Sequence, residues 1–216
     1  MTTRISFLLS LVMIASGWSA QTPAKKAAAP AASVKPFSIP PRACGNKNAS
    51  VVVEVYTDFE CPHCRIYYMD TLKQMMKDYC TSGKIYFMHR EFPFASHRFS
   101  REATRWVLAA ATIGKNEQLT EQLFANQAVW SQTGNIELLA ASFLSPADVA
   151  KIKQVMAAHK DEIEAEIERD LAEGRAIGLS ETPTTVIKRH GLATSQTAGG
   201  IPYARLKMAL DSLIDK

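Results

Sequence analysis

Val51-Val52-Val53-Glu54-Val55-Tyr56-Thr57-Asp58-Phe59-Glu60-Cys61-Pro62-His63-Cys64 is the stretch on which the reading of the chain turns. Its first seven residues are mostly β-branched, and the run is too short for a good helix, so it predicts a strand. Asp58-Phe59-Glu60 then turns the chain. From Pro62 onward the character is helical, because proline's fixed φ suits a first turn and its missing N–H costs nothing there. Ile66, Met69, Leu72, Met75, Met76 and Tyr79 follow at three- and four-residue steps. That spacing predicts one shared face on a helix ending near Tyr79.

Cys61 falls at the start of this helix, where unpaired backbone N–H groups and the helix dipole favour an anion. A thiolate there is stabilised below the roughly 8.5 of a free thiol, and a protonated His63 adds positive charge in the same turn. Cys64 lies one turn along the same face, within reach of a small disulfide ring with Cys61. Cys61, Pro62, His63 and Cys64 therefore read as a dithiol redox centre. Two blander readings compete with it: half of a zinc site, and a structural disulfide inside the motif. Cys44 and Cys80 are solitary and supply no second C-x-x-C pair, so neither a metal site nor a cofactor is expected. His89, His97, His159 and His190 are scattered and read as surface or core filling.

Toward the N-terminus, residues 1–20 resemble a secretory signal, with Arg4, an apolar run from Ile5 to Ala15, and small residues after it. The run is shorter than the roughly 20 residues of a comfortable membrane span, although an uncleaved anchor is the alternative. Export to a periplasmic or secreted location follows. Residues 21–43 are rich in Ala, Pro and Lys and read as a flexible linker. The chain carries a net charge of +4, yet residues 1–43 hold five cations and no acid, so residues 44–216 are left at −1. The basic character belongs to the tail, and nucleic-acid binding gains no support from it.

Toward the C-terminus, Lys84 to Phe92 reads as a second strand ended by Pro93, which makes a strand–helix–strand unit with parallel pairing. Helical patterns then fill about 80 residues. They are Arg101 to Ile113, Glu117 to Trp130, a short helix capped by Asn135, one opened by Ser145-Pro146, and a last one running to Gly174 or Gly178. Strand character returns at Pro183 to Ile187, a turn follows at Lys188 to Gly191, and a partner strand covers about Leu192 to Thr197. Tyr203, Leu206, Leu210 and Leu213 share a face of the final helix.

In this order of elements the chain resembles the DsbA family of thioredoxin-fold thiol–disulfide oxidoreductases. The resemblance spans about residues 45–216. It rests on Asp58-Phe59-Glu60-Cys61-Pro62-His63-Cys64, on Glu91-Phe92-Pro93, and on Glu181-Thr182-Pro183-Thr184. It implies an α/β thioredoxin fold, with a core of residues 44–97 and 176–216 and an inserted all-helical domain at 98–175. It implies a cis Thr182–Pro183 bond beside the dithiol, with both residues presenting a backbone edge to extended substrate. It also implies cysteine-containing protein substrates and a membrane-embedded redox partner, either a quinone-linked oxidase or an electron donor. One position departs from the family: relatives place a buried acid six residues before the first cysteine, and here that residue is Val55. Glu54 reaching round through a bulge, Glu60, or water are the alternatives for moving a proton to Cys64.

Geometry also bears on the other two cysteines. The strand rises about 3.3 Å per residue toward the active site, and the helix descends about 1.5 Å per residue for some 18 residues. Cys44 and Cys80 thus reach the same end of the domain, and a structural disulfide is expected; a buried thiol at 80 and a free one at 44 is the alternative. The activity expected is that of a monomeric dithiol oxidase. A reductase or isomerase on the same fold, or a non-catalytic module binding a metal or a thiol adduct, is the rival.

Overall fold

Five strands build one mixed sheet in the computed structural model, which describes residues 37–214. They are β1 (Ala43–Gly45), β2 (Val51–Thr57), β3 (Tyr86–Glu91), β4 (Thr184–Arg189) and β5 (Leu192–Ala198), in the order β1-β3-β2-β4-β5. β2 is parallel to β3, and the other three pairings are antiparallel. A parallel pair needs a crossover, and α1 (residues 62–80) supplies it. β2 lies at the centre, so it is buried on both faces: Val51, Val53 and Val55 on one, Glu54 and Tyr56 on the other. Between β3 and β4 come six helices: α2 (Ser100–Ala111), α3 (Asn116–Ala125), α4 (Gln127–Thr133), α5 (Ile136–Ala141), α6 (Pro146–Ala158) and α7 (Lys160–Ala176). A final helix, α8 (Tyr203–Ile214), follows the β4–β5 hairpin. The thioredoxin fold with a helical insertion is therefore present. The expected signal segment 1–20 and linker residues 21–36 lie outside the described residues.

α1 departs from its expected pattern. It is α-helical at Pro62–Tyr67 but widens into π turns at Tyr68–Leu72 and Met76–Cys80. Its inward stripe is Cys64, Tyr67, Tyr68, Thr71, Leu72, Met75 and Tyr79. Ile66, expected on that stripe, is 49% exposed. The cause is the direction of Cys64: once that thiol points inward, a residue two steps further along the helix points outward. The expected helix from Glu117 to Trp130 is likewise broken at Asn126, between α3 and α4. Asn135 and Ser145 each accept a backbone N–H at their helix starts, from Leu138 (3.0 Å) and Asp148 (3.1 Å). α7 passes straight through Gly174, one of its two expected ends, because that glycine is a packing device. A Cβ there would stand 2.7 Å from the Phe92 ring.

The expected linker overlaps the fold. Arg42 and Ala43, its last two residues, are not tether: Arg42 is buried, and β1 pairs with β3 through Ala43, Cys44 and Gly45. Ala-Cys-Gly has no intrinsic strand character, so the pairing comes from tertiary context. Gly45 has φ 90°, and a Cβ on it would sit 2.1 Å from the Ile85 carbonyl oxygen. Arg42 runs into a buried ion cluster centred on Asp170 of α7, which is fully buried. Asp170 accepts from Arg42 (2.7 Å), from Arg90 (2.9 Å) and from the Glu91 N–H (3.0 Å). Arg90 continues to Glu54 (3.3 Å), which also pairs with Lys188 (2.6 Å). One carboxylate thereby ties the last inserted helix to the sheet, and buried charges are tolerated because each has a partner.

Cys44 and Cys80 are joined by a disulfide, with their Cα atoms 5.5 Å apart. The bond fastens β1 to the C-terminal end of α1. Its ends are separated by 36 positions in the sequence, and opening it by replacing both cysteines with alanine is expected to lower stability by about 2–4 kcal/mol. Denaturant unfolding of the double variant checks this, and unchanged stability would contradict it.

Candidate active site

Asp58 to Cys61 form a tight turn closed by the Cys61 N–H on the Asp58 carbonyl (3.1 Å). Cys61 is the N-cap of α1, with φ −73° and ψ 118°, and Pro62 occupies the first helical position. This placement brings the Cys64 N–H to 3.4 Å from Cys61 Sγ. The Thr182–Pro183 bond is cis, and the Thr182 carbonyl lies 3.3 Å from the same sulfur, accepting from it when it is a thiol. Pro183 gives its carbonyl to the Gly199 N–H (2.8 Å), so Thr182 is the part of that edge that faces the dithiol. The structure thus brings together Cys61, Cys64, Thr182 and Pro183.

The two cysteines, both free thiols here, sit in opposite electrostatic settings. The Cys61 thiol is lowered from 9.0 to about 5, first by a hydrogen bond from the Cys64 side chain. The Cys64 N–H, the Thr182 side chain and the His63 N–H add to this, against the cost of burial. The thiol of Cys64 is pushed far up, first by complete burial and then by its neighbour Cys61. His63 acts on the lowered sulfur through its backbone N–H, and its side chain stands exposed at the mouth of the site. Beside it runs a groove of about 460 Å³ lined by Ile66, Tyr67, Gly200, Ile201 and Pro202.

Neither proposed acid reaches Cys64. Glu54 faces the other side of an unbroken β2 and is held by Arg90 and Lys188. Glu60 accepts the Phe99 N–H (2.5 Å). Val55 occupies the usual acid position and is fully buried. Cys64 Sγ instead accepts the Asp58 N–H at 3.4 Å.

Three residues of the site were not singled out by the sequence. Asp58 is fully buried; its carboxylate takes the Glu60 N–H (2.8 Å) and the Phe94 N–H (2.7 Å), and the His97 ring nitrogen lies 2.8 Å away. His97 is thus neither plain surface nor core filling. The third is Gln127, whose side-chain amide donates to the carbonyls of Phe59 (2.7 Å) and Cys61 (3.0 Å). No local motif marks Gln127, because its partners lie 66 and 68 residues away. The remaining histidines are elsewhere: His89 is buried against Thr57 Oγ1 (2.6 Å), His159 stacks on Phe37, and His190 is in the β4–β5 turn.

A centre that keeps one sulfur as an anion and its neighbour as a thiol suits thiol–disulfide exchange, in which a thiolate is the attacking species and a sulfur of low pKa is the faster leaving group. Set on this sheet beside a cis-proline, it places the chain among the thioredoxin-fold protein-disulfide oxidoreductases. Comparison with known proteins gives the family. A family model described as Thioredoxin matches residues 38–211, and the chain belongs to that family. It is 23% identical over 181 residues to a probable disulfide bond formation protein D of Bacillus anthracis, covering 80% of this chain and 77% of the relative. Among solved structures, Wolbachia pipientis alpha-DsbA1 is similar with a TM-score of 0.66 at 17% identity, over 81% of this chain and 91% of that one. BdbD from Bacillus subtilis, in its oxidised form, is similar with a TM-score of 0.65 at 20% identity, over 82% and 94%.

The opposed sulfurs predict a pH signature in stability. At neutral pH the folded Cys61 is a thiolate while the unfolded one holds its proton, so the unfolded state binds more protons. The reduced protein therefore gains stability that is fully present above the ordinary thiol value and is lost as pH falls through about 5. Cys64 acts in the opposite sense only above its ordinary value, where an unfolded thiol ionises and the buried one does not. Melting curves of the reduced and oxidised forms between acid and neutral pH should show the reduced form's advantage shrinking toward acid. A difference independent of pH would contradict the assignment.

Proposed function

We propose that the chain is an exported dithiol oxidase that introduces disulfides into protein substrates. The observation that carries the reading is the pKa split within the pair, with Cys61 low and Cys64 high. A substrate thiolate attacks Cys61 Sγ of the Cys61–Cys64 disulfide; the new Cys61–substrate bond forms, and Cys64 departs and takes up a proton. A second substrate thiolate then attacks the substrate sulfur of that mixed disulfide, and Cys61 leaves as a thiolate. The substrate loses two electrons and the dithiol gains them. A low leaving-group pKa speeds the second step and makes the disulfide more oxidising.

Thr182 and the groove beside His63 support docking of extended, partly apolar substrate, since exposed Ile66 adds apolar surface to that groove. Reoxidation by a membrane-embedded, quinone-linked oxidase completes the cycle. The Bacillus anthracis relative, whose name is that of a disulfide-forming protein, supports the same direction. Export by residues 1–20 accounts for a chain that combines a Cys44–Cys80 disulfide with an oxidising dithiol. Among the described residues no helix is long and apolar enough to cross a membrane.

The deciding experiment mixes oxidised protein with a reduced peptide carrying two cysteines and follows both sulfur pools. The expected result is one peptide disulfide for each Cys61–Cys64 pair reduced. Failure to oxidise the peptide, with brisk reduction of a protein disulfide by the reduced form, would assign the opposite direction.

A further inference from the structure

The turn before Cys61 is gripped from the helical insertion. In the Asp58–Cys61 turn, the middle peptide unit joins the Phe59 carbonyl to the Glu60 N–H. Its N–H end is fixed by Asp58 Oδ1 (2.8 Å), and its carbonyl end by the amide of Gln127 (2.7 Å). The orientation of this unit separates one turn type from another, and a flip exchanges a carbonyl dipole for an N–H on the face concerned. The same Gln127 nitrogen also holds the Cys61 carbonyl (3.0 Å), which accepts the Arg65 N–H (3.2 Å) as the first bond of α1. Holding that carbonyl fixes the ψ of Cys61, and ψ sets where Sγ stands relative to the N–H groups of His63 and Cys64.

Gln127 itself is rigidly placed. It opens α4 directly after the break at Asn126 and is 5% exposed. One turn earlier in the insertion, the Phe124 ring lies against the Phe59 ring at a centroid distance of 5.1 Å. Helices α3 and α4 thus meet the turn through the Phe124–Phe59 contact and the two Gln127 bonds, and of these only the bonds constrain the direction of a carbonyl.

We propose that Gln127 is a positioning residue for the dithiol: it locks the carbonyls of Phe59 and Cys61 away from the reactive sulfur and so couples the helical insertion to the reactivity of Cys61. The inference rests on the reading of Cys61 as the exchanging thiolate and adds a residue to it. A merely structural glutamine would stabilise the fold without touching the sulfur. A positioning glutamine sets the charge state and potential of the pair, because anion-stabilising N–H groups act only when aimed.

The test follows the ultraviolet absorbance of the Cys61 thiolate against pH in reduced wild type and in Gln127→Met, which keeps the volume and removes both donors. The wild type is expected to titrate well below the ordinary thiol value. Gln127→Met, with its circular dichroism spectrum intact, is expected to titrate about one pH unit higher, the scale of one lost hydrogen bond, and to become less oxidising. Should that variant not fold, Gln127→Asn keeps the amide on a stem too short for both carbonyls and is expected to shift in the same direction. A lower melting temperature with unchanged titration and unchanged potential would overturn the inference while leaving the dithiol reading intact. An ordinary midpoint in the wild type would overturn that reading and this inference with it.

Discussion

The active end of the molecule depends on one helix start aiming the Cys64 side chain and two backbone N–H groups at a single sulfur. The Cys64 side chain lowers the Cys61 thiol most, the N–H groups of Cys64 and His63 add to it, and none of them would do so from a helix that began elsewhere. Pro62 starts α1 at the right residue, and the Asp58–Cys61 turn delivers Cys61 to the cap position. Because an N-terminal turn has no partners for its own N–H groups, an anion there answers an unmet need of the backbone. The same geometry drives Cys64 inward, where burial holds it as a thiol. One helix start therefore produces two unlike sulfurs.

Holding that start in place occupies much of the remaining fold. Asp58 and Glu60 tie the turn to the segment after β3, through the N–H groups of Phe94 and Phe99. Gln127 ties it to the insertion. At the sheet, Asp170 fastens α7 to β3 and to Arg42 just ahead of β1, while the Cys44–Cys80 bond fastens β1 to the end of α1. The insertion is thus bound to the thioredoxin core at both the active turn and the sheet. Its helices hold the turn, and both sulfurs lie outside them.

How much of this the sequence disclosed follows from the range of each interaction. β2, the helix start at Pro62, the hairpin and the caps at Asn135 and Ser145 are local, and residue pattern alone announces them. So is the C-x-x-C pair, whose chemistry follows from being at a helix start. The path of Cys44 to Cys80 was legible because two elements of known rise run antiparallel. By contrast β1 is three residues with no strand propensity, and Arg42 looked like one more cation in a basic tail until Asp170 reached it. Ile66 was misplaced because periodicity gives a stripe but not its phase, and the buried Cys64 sets that phase. Glu54 is one of three routes the sequence leaves open for a proton to Cys64, yet Arg90 and Lys188 claim it. Gln127 and His97 owe their roles to partners far along the chain, which no short pattern encodes.

Whether this arrangement makes Cys61–Cys64 an oxidising disulfide is read from its reduction potential in equilibrium with glutathione. A thiolate stabilised in this way favours the reduced form, so a potential above about −200 mV is expected, more oxidising than the roughly −270 mV of thioredoxin. A value at or below that of thioredoxin would contradict it.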